Sequence, residues 1–310
     1  MIDISAKFPT LRSATASARL ELQAATLARI AANDLPKADP LVVARWAGIQ
    51  AAKRTSDLIP ACHHVALEWI DVACTCCPEE SCIAIRATAV ADHKTGVEME
   101  AMVAASVAAL TLYDMLKPLD DKMYIREVRL EEKHGGLKRS HRPSHAGAAT
   151  VIVISDSAAA GRREDRSGPA ACAALKALGF ACGPPCIVSD DPDAIAGAVS
   201  AACNTGADLV ITSGGTGLGP RDNTPRALRT VFEREAPGIA EWLRAYSRHR
   251  TPHAVLSNGV AGVRGTTLII AVPGSPRAVE ECLTALAPVI HHALDMLHGG
   301  GHPEADHAYV

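Results

Sequence analysis

Three short runs are apolar at nearly every position and rich in β-branched residues. They are Thr150-Val151-Ile152-Val153-Ile154, Leu209-Val210-Ile211-Thr212 and residues 267–272, and each runs directly into a loop of Ser, Asp, Gly or Pro. A half-exposed strand alternates apolar and polar side chains, whereas a strand covered on both faces has no reason to. Residues 168–178 and 194–203 read as helices between these runs, residues 186–188 as a short strand, and residues 279–297 as one closing helix. Strands alternating with helices predict an α/β domain with a doubly wound, mostly parallel sheet. In such sheets ligands bind beyond the carboxyl ends of the strands, so the loops after Ile154, Thr212 and Val272 are where chemistry is expected.

The first half has a different rhythm. Residues 11–31 hold Leu20, Leu27 and Ile30 among alanines without Pro or Gly, and read as an amphipathic helix. Residues 81–90 and 124–130 read as strands, and residues 98–117 as a long helix stopped by Pro118. This mixture predicts an α+β, ferredoxin-like sandwich. Between them, from His134 to Ala149, the chain is basic, carries Gly135 and Gly136, and lacks apolar periodicity. The expected division is therefore residues 1–146 and 147–310.

Composition narrows the function. Aromatic residues make up 3% of the 310 and the formal net charge is −3, which leaves neither stacking platforms nor a basic face for nucleic acid. No run of about 18 apolar residues is evident and the start lacks a secretory pattern, so a cytoplasmic protein without a membrane span is expected. Ten cysteines then sit in a reducing compartment. The cluster Cys74, Cys76, Cys77 and Cys82 matches no common zinc spacing and reads as packed thiols.

In the second half, Ser213-Gly214-Gly215-Thr216-Gly217-Leu218-Gly219-Pro220 follows a buried strand. Its glycines permit positive φ and bare backbone, so N–H groups can converge on an anion. Asp222 and Thr224-Pro225 follow, Asp156 ends the first strand, Asp190 follows the second, and Pro273-Gly274-Ser275 ends the last. A helix-capping role competes for Asp190, Asp222 and Ser275. Together with Asp165-x-Ser167-Gly168 and Ala236-Pro237-Gly238, these pieces, spread over residues 148–298, resemble the MoaB/MogA family of molybdopterin-binding adenylyltransferases. The resemblance implies activation of molybdopterin with ATP and Mg2+. It implies Asp190 and Asp222 as catalytic, Mg2+-placing carboxylates, and Asp156, Gly214, Gly215, Thr216, Gly217, Pro273, Gly274 and Ser275 as binding residues.

In the first half, ionisable residues crowd three stretches. One runs from Gly48 to His64 and contains Lys53-Arg54-Thr55-Ser56-Asp57-Leu58-Ile59-Pro60-Ala61-Cys62-His63, and another is Thr95-Gly96-Val97-Glu98-Met99-Glu100. The third contains Asp114 and Lys117, which at three residues apart share a helix face. Glu98 and Glu100 alternate as on an extended approach to the helix. These stretches, with Met1-Ile2-Asp3-Ile4-Ser5-Ala6-Lys7, cover residues 1–136 and resemble MoaC, the cyclic pyranopterin monophosphate synthase family. The resemblance implies conversion of 3′,8-cyclo-7,8-dihydro-GTP to cyclic pyranopterin monophosphate with loss of pyrophosphate, in homo-oligomers whose sites lie at subunit boundaries. It implies Asp114, Lys117, His63 and Lys37 as catalytic, and Lys53, Ala61, Cys62, Glu98, Met99, Glu100 and Lys133 as substrate-binding, with no tightly held cofactor.

Two departures stand out: His64 replaces the family's Pro, and the second tail lysine is displaced from position 137, a leucine here, to Lys138. An alternative is that one half is a non-catalytic pterin-binding or oligomerisation module.

Overall fold

The computed structural model describes residues 1–5, 7–136 and 147–300. They form two compact units, one up to residue 136 and one from residue 147. The expected boundary, Leu137 and Lys138 lie outside the described residues.

The first unit runs β1 (Thr10–Glu21), α1 (Ala24–Ala31), α2 (Pro40–Ala52), the single turn α3 (Thr55–Leu58), β2 (Trp69–Cys77), β3 (Cys82–His93), α4 (Glu98–Leu116) and β4 (Tyr124–Gly135). The sheet order is β2-β3-β1-β4 with every neighbouring pair antiparallel. This is the expected ferredoxin-like sandwich. The expectation of a helix over 11–31 is wrong for its first half, which is β1. Alanine suits both a helix and a closely covered strand, and the decisive signal is period two. Ala14, Ala16, Ala18 and Leu20 are at most 1% exposed, while Ser17 and Arg19 between them are only partly buried and Thr15, on the other face, is covered at 4%.

Small residues recur where the helix meets this sheet. Ala101, Ala104, Ala105 and Ala108 of α4 are fully buried. Gly48 of α2 approaches α4 so closely that a Cβ there would lie 2.9 Å from the Ala104 carbonyl oxygen. The alanine richness is thus a close-packing device, each buried methyl contributing roughly 0.8 kcal/mol. α4 is apolar on almost all sides, and among the described residues it is the one helix long and apolar enough to cross a membrane. That corrects the expectation of no such run. Its inner side is buried in this unit, whereas Leu110, with Val42, Val43 and Trp46 of α2, remains exposed.

The second unit contains β5 (Ala148–Ile154), α5 (Asp156–Ala159), α6 (Ser167–Ala177), β6 (Ala181–Cys182), β7 (Cys186–Val188), α7 (Pro192–Asn204) and β8 (Leu209–Ser213). It continues with α8 (Thr224–Arg229), β9 (Arg234–Glu235), α9 (Pro237–Arg248), β10 (Ala261–Arg264), β11 (Thr267–Val272), α10 (Pro276–Leu286) and α11 (Ile290–Leu297). β6, β7, β5, β8 and β11 pair in parallel, and β10 and β9 add an antiparallel edge. The mostly parallel, doubly wound sheet is as expected. The closing helix is two helices, interrupted beside Pro288, which has no N–H to continue the ladder.

Candidate functional sites

In the first unit the predicted residues fall at two ends of α4. Asp114 and Lys117 do share a face: their carboxylate and ammonium lie 2.7 Å apart, both well exposed. The Lys117 hydrogen bond, and then the charges of Lys117 and Lys37, hold the Asp114 carboxyl below its ordinary range. Lys117 is correspondingly pushed upward by Asp114.

At the other end, Glu98 and Glu100 belong to the first turn of α4, not to an extended approach, so at i and i+2 they point apart. Lys133 reaches Glu98 at 3.1 Å. The Glu98 carboxylate lies over Gly96, where any Cβ would collide with it. Glu100 is 3% exposed, and burial raises its carboxyl above the ordinary range, with Glu98 adding and His64 opposing. Met99 is half-buried between them. Cys62 also senses Glu100: burial first and that charge second push its thiol upward. His63 is half-buried with Nε2 2.8 Å from the Ile2 carbonyl oxygen, and Ala61 is exposed. Lys53 and His64 line a separate cavity of about 410 Å3 beside Trp69.

Strand register fixes these ends. Thr10 pairs with His93 and Arg12 with Gly135, so the starts of β1 and α4 and the ends of β3 and β4 share one edge. Two cations there, Arg12 and Lys94, and the imidazole of His93 escaped sequence reasoning. Arg12 donates to the His93 carbonyl at 3.3 Å and Lys94 to the Ser5 carbonyl at 3.2 Å. His93 is held below its usual range by burial, then by the charges of His63, Lys94 and Arg12. With β1 misread as helix, nothing brought them together; correct strand register would have. A single pocket gathering Asp114 and Lys117 with His63 and Glu100 is not what one copy of the chain forms. The rise along α4 separates Glu100 from Asp114 by about 21 Å.

In the second unit the glycine loop follows β8. Gly214 and Gly215 have φ of 113° and 61°. A Cβ on Gly214 would lie 2.3 Å from the Ile154 carbonyl oxygen, and one on Gly215 as close to Thr224 Oγ1. Thr224 donates to the Gly214 carbonyl at 2.9 Å. The loop is not shut against the core. Gly214, Gly215, Thr216 and Gly217 line a cavity of about 510 Å3, together with Asp222, Pro273 and Gly274. Its far wall, Leu243, Arg244, His253 and Cys282, comes from α9, the segment after it, and α10.

The capping alternatives resolve individually. Asp191, not Asp190, caps α7, and Asn223, not Asp222, occupies the N-cap of α8. Ser275 does cap α10, accepting from Ala278 N–H at 3.3 Å, and is not on the cavity wall. Asp222 accepts from Gly219 N–H at 2.7 Å and so ties its own loop. Asp156 and Asp190 lie off the cavity as a reciprocal pair, each carboxylate accepting the other's N–H, at 3.0 and 3.2 Å. Asn223 donates to the Asp190 carbonyl, linking the two aspartate loops.

Among the described residues no three His, Cys, Asp or Glu side chains converge for a metal. Mg2+ is commonly held by one or two carboxylates plus substrate phosphates. Two carboxylates, Asp222 on the cavity wall and Asp190 in the loop that Asn223 ties to it, are of that donor type.

Residues 1–136 match the MoaC family, and residues 150–292 match the probable molybdopterin binding domain. A molybdenum cofactor biosynthesis bifunctional protein of Chlorobaculum tepidum is 44% identical over 302 residues, covering 97% of this chain and 96% of its own. One of the same description from Synechococcus elongatus is 39% identical over 315 residues, covering 97% and 98%. A cyclic pyranopterin monophosphate synthase of a Roseiflexus species is 49% identical over 136 residues, covering 44% of this chain and 86% of its own. The chain therefore belongs to the bifunctional family of molybdenum cofactor biosynthesis, a MoaC region fused to a MoaB/MogA-like molybdopterin-binding region.

Proposed function

We propose that the first unit is a cyclic pyranopterin monophosphate synthase whose site is assembled from two copies of the chain. It would take 3′,8-cyclo-7,8-dihydro-GTP and release pyrophosphate. The observation that carries this reading is the separation of Asp114–Lys117 from Glu100–His63 along α4. Each end holds half of what the chemistry needs: a proton-transfer pair at one, anion- and purine-binding groups at the other. The exposed apolar side chains Val42, Val43, Trp46 and Leu110 on α2 and α4 supply a face for the second copy.

In that site Asp114, kept ionised by Lys117, accepts a proton, and Lys117 can return one. Lys37, Lys53, Lys133, Arg12 and His63 offer positive charge to the triphosphate. Glu98 and Glu100 accept hydrogen bonds from guanine-derived amino groups.

The second unit binds molybdopterin in the glycine-loop cavity and adenylylates it with ATP. Backbone N–H groups of the loop receive phosphate. Asp222 and Asp190 would be the carboxylates that hold Mg2+, which when bound offsets the charge of the ATP phosphates. A carrier without adenylylation is the second reading, favoured by Asp222's engagement with Gly219.

The test uses the full chain. With the cyclic dihydro-GTP, pyrophosphate and cyclic pyranopterin monophosphate appear; with molybdopterin, ATP and Mg2+, pyrophosphate and the adenylylated pterin appear. Silence in the first assay overturns the synthase reading. Molybdopterin binding without pyrophosphate release reduces the second unit to a carrier.

A further inference from the structure

We infer that Cys77 and Cys82 form a thiol–disulfide exchange site, a cross-strand pair that closes to a disulfide when a small organic disulfide is supplied.

The two residues flank the connection between β2 and β3 and are direct partners in the antiparallel register. Opposed residues in such a ladder have Cα atoms about 4.5–5.5 Å apart, inside the span a disulfide bridges, about 4.4–6.8 Å. They also share a face. Cys74 and Cys76 pack against the core, so Cys77, the next residue, points outward. Ile83 is fully buried in that core, so Cys82 before it points outward too. Cys76 is paired with Ile83 and Cys74 with Ile85, so neither has an opposing thiol.

The pair is asymmetric in a way that suits exchange. Cys77 is partly exposed, whereas Cys82 is buried beneath Arg19. The Arg19 guanidinium donates to Cys82 Sγ at 3.1 Å and pairs with Glu80 in the connecting turn. Burial raises the Cys82 thiol, and the Arg19 contact works against that by favouring the thiolate.

The chemistry balances in two exchanges. The Cys77 thiolate attacks one sulfur of the small disulfide, forming a mixed disulfide and expelling one thiolate. The Cys82 thiolate then attacks Sγ of Cys77, expelling the second. The protein loses two hydrogens, and the oxidant gains them as two thiols. Cys82 needs no access to solvent, because its target is delivered across the ladder.

Reduced full-length protein is incubated anaerobically with oxidised glutathione, quenched in acid, alkylated after unfolding, and peptide-mapped. The expected product carries a Cys77–Cys82 bridge: two hydrogens lost, neither thiol alkylated. Cys82→Ser stops at glutathione on Cys77, and Cys77→Ser leaves Cys82 reduced. The inference is overturned if wild-type protein retains glutathione on Cys77 without bridging. It is also overturned if both thiols are alkylated while exposed Cys186 has reacted. The wild-type outcome decides the matter without relying on either variant's folding.

Discussion

Glu100 and Asp114 occupy one unbroken helix, the first buried at its start and the second exposed at its end, about 21 Å apart. A straight helix cannot fold its ends together, so any reaction needing both must recruit a second chain. If the two copies meet through a twofold axis, each complete site takes Asp114 from one and Glu100 from the other. Asp114→Asn and Glu100→Gln should then each abolish pterin formation. Mixing the two variants after subunit exchange should restore about a quarter of wild-type activity, because half the dimers then carry one intact site of two. Activity staying at zero in verified mixed oligomers would sink the shared site.

The buried Glu100 also sets a pH dependence. Burial raises its carboxyl in the folded chain, with Glu98 adding and His64 opposing. Above the ordinary Glu value the folded state holds this proton longer than the unfolded one, so the group's contribution falls as pH rises through that window. Glu100→Gln removes the burden. It should be more stable than wild type at neutral pH, and the advantage should vanish toward pH 4. Thermal unfolding across that range measures it; equal slopes for both proteins would contradict the assignment.

How far the sequence could be read depended on side-chain size. Ile152, Ile211 and Ile269 lie in strands buried on both faces, and uninterrupted apolar runs announce them; residues 267–272 were read to the residue. β1 was missed because Ala14, Ala16 and Ala18 are as compatible with a helix as with a strand. Only the helix packed across them makes period two the meaningful spacing. The candidate site residues are legible through the family resemblance of their motifs; spacing alone leaves Asp114 and Lys117 a surface ion pair. Their division into two ends follows from helix geometry, since the residues from Glu100 to Asp114 rise about 21 Å. What no single chain could reveal is which surface closes the gap. The second unit's Asp156–Asp190 pairing arises from loops 34 positions apart, which only the parallel register of β5 and β7 brings together.

Asp222 separates loop-holding from catalysis. Its carboxylate accepts the Gly219 N–H at 2.7 Å, an acceptor that an amide oxygen reproduces. Asp222→Asn should therefore keep the loop and molybdopterin affinity near wild type. It should lower Mg2+-dependent adenylylation roughly 10²-fold, the scale of losing a few kcal/mol of charge compensation. Asp222→Ala should lose both. Calorimetric titration alongside a pyrophosphate assay distinguishes them, and an Asn variant with full turnover would leave Asp222 a loop tie alone.

The glycine loop offers the sharpest structural test, because two positive-φ glycines in the same unit face opposite surroundings. Gly214, at φ 113°, has the Ile154 carbonyl oxygen 2.3 Å from where a Cβ would sit, and that backbone cannot yield without disturbing β5. Gly161, at φ 67°, would meet nothing within 4 Å. Alanine at position 161 adds only conformational strain, about 1 kcal/mol, whereas alanine at position 214 adds a backbone collision, about 2–4 kcal/mol in all. The second unit's melting transition should fall by roughly 5–10 °C for Gly214→Ala, and by a few degrees at most for Gly161→Ala. Because the same displacement pushes the loop into its cavity, Gly214→Ala should also weaken molybdopterin binding while Gly161→Ala does not. Equal destabilisation by the two would mean that positive φ alone, and not the close approach of β8 to β5, explains the glycine at 214.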